Sequence, residues 1–212
     1  MINIRFTYFD SELPGNVWNS HLCKLPRDIQ NKINRYIRWE DRHRGLFGKL
    51  LLLEELGQYG YASDCLERLS YNDFGKPFLD SRINFNISHS GGYIACAVSD
   101  KEKIGIDIEA VRHINLSDFK RYMNAGEWRI IRASGTQYEE FYKYWTKKES
   151  VMKADGRGFS IPLTDIRLGE TNAVLYETRW FLREISVRSG YRCHLAADSE
   201  DARVRIAETR FF

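Results

Sequence analysis

The segment Ile104–Glu109, with the sequence IGIDIE, constrains the fold of this chain more than any other stretch. Isoleucine occupies its even positions, whereas Gly105, Asp107 and Glu109 occupy the odd positions. Because successive side chains of a β-strand point to opposite faces, this alternation predicts a strand with one apolar and one acidic face. The two carboxylates would lie about 7 Å apart on that face. Mutual repulsion and partial burial would make both charges costly.

A third carboxylate decides between two explanations of this strand. A lone Asp-x-Glu pattern fits an edge strand with a hydrated polar face, but it also fits a site for Mg²⁺, which binds one or two carboxylates with substrate phosphates. In the predicted helix over residues 137–154, Glu149 falls beside an apolar stripe, where a carboxylate must be paired, protonated or metal-bound. A local ion pair with Lys153, four residues on, is the competing explanation. The stripe consists of Phe141, Tyr144, Trp145 and Met152.

The remaining patterns predict an α+β protein. One strand is predicted over residues 2–9, a helix after Pro26, and a strong helix from about residue 40 to 59. Later predicted strands cover residues 83–88, 93–99, 104–111, 165–169, 173–177, 180–187 and 191–197, and later predicted helices cover residues 116–133 and 137–154.

A faint internal repeat indicates how these elements are grouped. SGGYIACAVSD at residues 90–100 resembles RSGYRCHLAAD at residues 188–198. The repeat predicts two similar α+β halves, each an antiparallel sheet packed with helices, which we place at residues 1–103 and 104–212.

Composition narrows the class of protein. The chain has 212 residues and a net charge of only +3, which is too small to indicate a nucleic-acid partner. Its four cysteines form no CxxC pair, so we expect reduced thiols rather than disulfides or a zinc site. The first ten residues lack the long apolar stretch of a secretory signal, and no apolar run is long enough to span a bilayer. We therefore expect a cytoplasmic protein with no membrane partner.

Three sequence blocks together resemble one enzyme family. FNISHS at residues 85–90, IGIDIE at 104–109 and WTKKESVMK at 145–153 are similar to the 4′-phosphopantetheinyl transferases of the larger Sfp type. The family signature has the form (I/V)G(I/V)D, followed further along by (F/W)(S/C/T)xKE(S/A)xxK. EDRHRG at residues 40–45 and GKP at 75–77 also match, so the resemblance runs through most of the chain.

The resemblance implies a fold and an activity. Members are pseudo-dimers of two α+β halves with the active site between them. They transfer the 4′-phosphopantetheine arm of coenzyme A to a serine of an apo acyl or peptidyl carrier protein, and release adenosine 3′,5′-bisphosphate. They require Mg²⁺, for which Mn²⁺ can substitute. We accordingly expect a monomer whose partners are coenzyme A and carrier proteins, with a leaning towards nonribosomal peptide, polyketide or antibiotic biosynthesis.

The resemblance also implies roles for particular residues. Asp107, Glu109 and Glu149 would hold the metal, Glu149 would act as general base, and Lys153 would neutralise charge on the phosphates. His89 would contact the 3′-phosphate of coenzyme A, and the turn 75–77 would line the adenine. The full set expected to bind coenzyme A is Lys32, Arg44, Gly75, Lys76, Pro77, Ser88, His89 and Lys153.

This sequence departs from the family at the expected 3′-phosphate contacts. Better-known members carry two lysines three residues apart before the long helix; Lys32 matches the second, but Ile29 stands at the first. Gly45 replaces a hydroxyl residue found in some members. The contact is therefore expected to be weaker, or to be supplied by Arg27 and Arg44. Glu127 aligns with an acidic family residue, to which we assign no role.

Two other functions fit the same residues. A metal-dependent phosphohydrolase could use the three carboxylates with water as nucleophile, and it would release the bisphosphate without an acceptor. A non-catalytic module could bind coenzyme A or a carrier protein, and it would add no mass to an apo carrier. The presence of all three proposed ligands argues against the second alternative.

Overall fold

The structure, a computed structural model, describes residues 1–211 and contains two main sheets with helices packed on them. The helices are α1 (Gly15–Leu22), α2 (Arg27–Asn34), α3 (Trp39–Gln58), α4 (Ala125–Ala133) and α5 (Gln137–Asp155). The strands are β1 (Ile2–Tyr8), β2 (Ser70–Tyr71), β3 (Pro77–Phe78), β4 (Asn84–Ser90), β5 (Tyr93–Ser99), β6 (Ile104–Ala110), β7 (Arg167–Leu168), β8 (Asn172–Leu175), β9 (Thr178–Glu184), β10 (Tyr191–Ala197) and β11 (Val204–Glu208).

Each main sheet belongs mostly to one part of the chain. The first has the strand order β11-β1-β5-β4, and the second has the order β6-β10-β9-β8-β7, while β2 and β3 form a separate hairpin. All pairings are antiparallel except that of β1 with β11, which is parallel. The last strand therefore returns to the first sheet. The division at residues 103 and 104 stays a prediction, and this strand crosses it.

The apolar face of β6 forms the core between the two sheets. Ile104, Ile106 and Ile108 are fully buried, as the alternation in IGIDIE predicts. They pack in one cluster with β1 and β5 of the first sheet and with β10 of the second, so the strand that carries the carboxylates is held from both sides. A second core lies between α3 and the first sheet, and it encloses Leu46, Phe47, Leu50, Leu51, Leu52 and Leu56 of the helix.

Most predicted elements are confirmed, and the differences have local causes. The predicted helix over residues 116–133 is a 3₁₀ segment followed by α4, because Asn124 and Glu127 form a capping box that starts a new helix at Ala125. Helix α1 and strand β11 were not predicted. Strand β11 lies at a sheet edge with largely exposed side chains, and so it has no apolar alternation.

Cys65, Cys96 and Cys193 are buried free thiols, and Cys23 is an exposed one. Within residues 1–211, the helices are too short or too polar to cross a membrane.

His43 of α3 is a buried histidine held in one tautomer. Its Nδ1 donates to the carbonyl oxygen of Trp39 at 2.8 Å, and its Nε2 accepts from the amide of Leu13 at 2.9 Å. Because Nε2 must keep a lone pair for that amide, the ring is neutral in the folded state. Burial lowers the pKa of His43 below its ordinary value of about 6.5.

We predict that His43 makes the protein less stable in acid. A lowered folded pKa means that the unfolded chain binds the proton first, so the contribution is full above about pH 6.5 and falls as the pH drops below it, by up to about 1.4 kcal/mol per pH unit. The unfolding free energy, measured by urea titration from pH 7.5 to 5, should depend less on pH in His43→Gln than in the wild type. Equal slopes in both proteins would contradict this prediction.

Candidate active site

The acidic strand and helix α5 meet because Gly105 has no side chain. A Cβ atom at this position would lie 2.1 Å from the backbone oxygen of Ser150 and 2.3 Å from the backbone nitrogen of Ala154. Such distances are impossible, so only glycine allows the helix backbone to pack directly on β6. The glycine of the IGID motif thereby places Glu149 and Lys153 of α5 beside the carboxylates of the strand.

Asp107 lies at the centre of a hydrogen-bonded group. The hydroxyl of Ser88 on β4 donates to Asp107 Oδ1 at 3.0 Å, and Lys153 Nζ lies 2.5 Å from the same oxygen. Lys153 Nζ also donates to the hydroxyl of Ser88 at 2.9 Å. A neighbouring contact joins Ser90 to Glu109, with Oγ donating to Oε2 at 2.6 Å. The two halves of the chain thus contribute to one site.

Glu149 is nearly enclosed and is destabilised as an anion. Only 8% of the residue is exposed. Burial, followed by repulsion from Asp107 and Glu109, raises the pKa of Glu149 to about 7, although Lys153 acts in the opposite direction. Burial and Asp107 also raise the pKa of Glu109, which the hydrogen bond from Ser90 opposes. The site therefore holds more negative charge than its own cation balances.

The excess of negative charge in the site also shifts the pKa of Lys153. Its desolvation alone would lower the pKa of the ammonium, but Asp107, Glu149 and Glu109 together outweigh it and raise the pKa. Lys153 is thus a firmly charged lysine at pH 7, surrounded by three carboxylates. The local Glu149–Lys153 pair considered from the sequence is replaced by a direct contact of Lys153 with Asp107.

The donor set has the chemistry of a divalent-cation site. Asp107 Oδ2 is buried and has no hydrogen-bond partner within residues 1–211, and an unpaired carboxylate oxygen of this kind is costly unless a cation meets it. In the side-chain positions recorded for residues 1–211, however, no three His, Cys, Asp or Glu side chains are grouped to hold one ion. The positive charge that meets Asp107 in this structure is the Lys153 ammonium. The residues fit a hard cation in charge and ligand type, and the metal-ligand assignment stays a prediction.

Lys76 ties the turn 72–76 to the end of α5. Its Nζ donates to the carbonyl oxygens of Lys153 at 2.7 Å and Ala154 at 3.0 Å, and Asn72 Nδ2 donates to the carbonyl oxygen of Gly156 at 3.1 Å. These donors satisfy carbonyls that the end of the helix leaves free. Desolvation lowers the pKa of Lys76 to about 8. The ammonium of Lys76, a residue predicted to line the adenine, is thus hydrogen-bonded to the end of α5. Gly75 takes the left-handed conformation that the turn requires.

His89 and Arg44 lie on the rim of the site. His89 follows Ser88 on β4 with an exposed ring. Desolvation by the surrounding protein, with the charges of Arg44 and Lys153, lowers the pKa of His89. Arg44 donates to the carbonyl oxygen of Gly91 at 2.9 Å and to Asp41 at 2.6 Å. Arg44 therefore contributes positive charge near His89 from a fixed position.

Lys32 lies in a separate groove. The groove has a volume of about 530 Å³, and Arg27, Ile29 and Lys32 of α2 line it. Lys32 Nζ lies over the ring of Tyr71, 5.6 Å from its centroid. Arg27 and Lys32 line the same groove, and no hydrogen bond or ion pair joins Lys32 to His89 or Lys153 within the described residues.

Glu127 and Lys148 form a buried ion pair that sequence reasoning did not find. Lys148 Nζ lies 3.0 Å from Glu127 Oε2, and the two side chains are 0% and 9% exposed. Lys148 also donates to the carbonyl oxygens of Leu163 and Ile166 at 2.9 and 3.2 Å. The pair holds α4 and the segment after α5 against the helix that carries Glu149. The only sequence signal was that both positions match the family.

The chain matches known proteins over nearly its whole length. The sequence model described as "4′-phosphopantetheinyl transferase superfamily" matches residues 103–207, and that described as "4′-phosphopantetheinyl transferase, N-terminal" matches residues 14–101. The chain is 31% identical over 201 residues to 4′-phosphopantetheinyl transferase gsp of Aneurinibacillus migulanus, covering 91% of this chain and 84% of that protein. It is 32% identical over 205 residues to 4′-phosphopantetheinyl transferase Sfp of Bacillus subtilis (strain 168), covering 92% and 91%. It is 31% identical over 173 residues to 4′-phosphopantetheinyl transferase HetI of Nostoc sp., covering 76% and 73%.

We predict that Lys148 is required for stability. Lys148→Met leaves the Glu127 carboxylate buried without its partner, which should lower the unfolding free energy by about 3–5 kcal/mol. Removing the second charge as well, in Lys148→Met/Glu127→Gln, should recover part of that loss. Both variants are compared with the wild type by urea denaturation at pH 7.5. A loss below about 1 kcal/mol in the single variant would show that the pair is not structural.

Proposed function

Because this chain belongs to the 4′-phosphopantetheinyl transferase superfamily, we propose that residues from both its halves form the site that binds coenzyme A and transfers its 4′-phosphopantetheine arm. The activity is that of an Sfp-type transferase, which moves this arm to a serine of a carrier protein and releases adenosine 3′,5′-bisphosphate. The observation that supports the site is the group of three carboxylates around Lys153, with a buried oxygen of Asp107 unpaired within residues 1–211.

The reaction makes one phosphorus–oxygen bond and breaks another. The serine oxygen of the carrier attacks the phosphorus that bears the pantetheine arm. The bond from this phosphorus to the bridging oxygen breaks, and that oxygen leaves with adenosine 3′,5′-bisphosphate. Catalysis of such a step depends on alignment of the two oxygens and on neutralisation of phosphate charge. Glu149 receives the proton of the serine hydroxyl, directly or through a water molecule.

Asp107, Glu109 and Glu149 would hold Mg²⁺, or Mn²⁺ in its place. When bound, the cation would supply positive charge against the pyrophosphate of coenzyme A. The excess of negative charge around Lys153 and the unpaired Asp107 Oδ2 support this assignment. The Lys153 ammonium would bind a phosphate oxygen of coenzyme A and neutralise its charge.

Cationic and polar groups of the first half bind the rest of coenzyme A. Ser88 contacts Lys153, and His89 lies close enough to Lys153 and Arg44 for both charges to lower its pKa. These three side chains, Ser88, His89 and Arg44, would contact the phosphates. Lys76 and Pro77 line a groove of about 250 Å³ beside Ala154, which suits the adenine ring. Since the Lys76 ammonium bonds α5, the methylene groups and backbone of the turn make this contact.

The 3′-phosphate has two candidate positions. Arg27 and Lys32 share one groove, in which Ile29 contributes apolar surface where the family has a lysine. Arg44 and His89 form the second position at the rim of the site. We propose the second, because no contact within the described residues connects the Lys32 groove to the carboxylate group. Lys32 and Arg27 would then attract coenzyme A through their positive charge, without a direct contact to its 3′-phosphate.

We propose an apo peptidyl or polyketide carrier domain as the acceptor. The similarity of this chain to the Sfp and gsp transferases, together with the Sfp-type signature residues, supports this choice of acceptor. A panel of apo carrier domains, incubated with Mg²⁺ and coenzyme A and examined by intact-mass spectrometry, tests this. Bisphosphate release without any carrier would instead identify a phosphohydrolase.

Replacing Glu149 by glutamine should abolish transfer without unfolding the protein. Glu149→Gln removes the proton acceptor and a proposed metal ligand, and the rate of carrier modification should fall at least about 100-fold. Because the raised pKa of Glu149 makes its anion destabilising at pH 8, the melting temperature should stay equal or rise. Asp107→Ala should also abolish transfer. Exposed Glu177 provides a control, Glu177→Gln, that should retain activity. Full activity of either site variant would refute the assignment.

Replacing His89 by alanine should weaken binding of coenzyme A more than it slows transfer. His89 is proposed to contact a phosphate distant from the reacting phosphorus, so its loss affects ground state and transition state alike. The KM for coenzyme A should rise about tenfold, and kcat should change less than about threefold. The exposed ring of His113 provides the control variant His113→Ala. A large loss of kcat at unchanged KM would contradict this role.

A further inference from the structure

Side chains of β4, rather than a neighbouring strand, cover the outer edge of β6. Strand β6 is the outermost strand of the second sheet, and an uncovered edge leaves backbone amides unpaired. The amide of Ile106 donates to Asn86 Oδ1 at 2.9 Å, that of Ile108 to Ser88 Oγ at 3.2 Å, and that of Ala110 to Ser90 Oγ at 3.1 Å. Each pair is twenty residues apart, so the contacts repeat in register along both strands.

Two of these side chains also meet the carboxylates. Ser88 Oγ donates to Asp107, and Ser90 Oγ donates to Glu109 Oε2 at 2.6 Å. A serine hydroxyl has one proton to donate and lone pairs to accept. The backbone amide of Ala110 donates a hydrogen bond to the Ser90 oxygen, and the Ser90 hydroxyl donates a hydrogen bond to the Glu109 carboxylate. The hydroxyl orientation is therefore fixed by two partners, and the Glu109 carboxylate is fixed with it.

We propose that Ser90 is a positioning residue that sets the Glu109 carboxylate for cation binding while pairing the edge of β6. This inference rests on the proposed function, in which Glu109 is a metal ligand. Ser90 acts through Glu109 and is assigned no contact with coenzyme A. Ser88 has the same geometry, but it also contacts Lys153, so its replacement would disturb the phosphate site directly.

Asn86 provides the matched control. It belongs to the same row and accepts from the amide of Ile106, but the hydrogen bonds it makes reach neither Asp107 nor Glu109 within residues 1–211. Replacing Asn86 therefore leaves the amide of Ile106 unpaired but keeps the hydrogen bonds to Asp107 and Glu109. A difference between variants at positions 86 and 90 reports the carboxylate contact itself, because both variants lose one bond to a backbone amide.

The test compares Ser90→Ala, Ser90→Thr and Asn86→Ala with the wild type. In Ser90→Ala, the Mg²⁺ concentration for half-maximal transfer should rise about tenfold, the effect of losing one hydrogen bond to a charged group. The KM for coenzyme A at saturating Mg²⁺ should change less than about twofold. Threonine retains the hydroxyl, so Ser90→Thr should stay within about threefold of the wild type. Asn86→Ala should leave the Mg²⁺ dependence unchanged.

A second readout needs neither cation nor substrate. By NMR at a fixed pH, Ser90→Ala should speed amide hydrogen exchange at Ala110 and shift the Glu109 carboxyl carbon. Asn86→Ala should speed exchange at Ile106 and leave that carbon unshifted. Should Ser90→Ala fail to fold, Ser90→Cys, which keeps the size but donates weakly, should show the same changes in smaller degree.

Two outcomes would overturn the inference. One is an unchanged Mg²⁺ dependence in Ser90→Ala, and the other is an equal change in Ser90→Ala and Asn86→Ala. Wild-type protein that modifies no carrier would instead refute the proposed function. The exchange rates and the carboxyl shift would then still decide whether Ser90 positions Glu109.

Discussion

The close approach of α5 to β6 is the contact on which the site depends. Any side chain at position 105 would push the helix backbone away from the strand. Glu149 and Lys153 would then move away from Asp107, and the charges that define the site would separate. The isoleucines on the opposite face fix the strand against both sheets, so the strand cannot shift to relieve such a clash. Packing on one face thus determines chemistry on the other.

The same packing brings together charges that the fold does not balance. Three carboxylates share one lysine, and burial raises the pKa of Glu149 to about 7. A fold selected for stability alone would replace such groups by apolar ones. Their retention is understandable if a cation and the phosphates of coenzyme A complete the charge balance. The local instability is then a consequence of function, as is common at sites prepared for a charged ligand.

Local patterns predicted the parts of this structure that local physics controls. Alternation in IGIDIE gave the faces of β6, and helical spacing gave α3 and α5, because each signal lies within one element. The roles of Lys76 and Lys148 could not be predicted in this way. Their partners are backbone carbonyls or a carboxylate of other elements. Every residue carries a backbone carbonyl acceptor, so the sequence does not indicate which one a lysine meets. Strand β11 was not predicted for a different reason: it lies at a sheet edge with largely exposed side chains and so has no apolar alternation.

The site combines side chains from both main sheets. Ser88, His89 and Ser90 come from β4 of the first sheet, whereas Asp107 and Glu109 come from β6 of the second sheet. The register between β4 and β6 decides which hydroxyl meets which carboxylate, since a slip of one residue would turn the serines away from the carboxylates. Lys76 joins the first half to the end of α5 by a second, independent contact. The contacts from Ser88 and Lys76 both reach the C-terminal end of α5. The geometry of the site therefore depends on how this end of the helix is held against β4 and the turn 72–76.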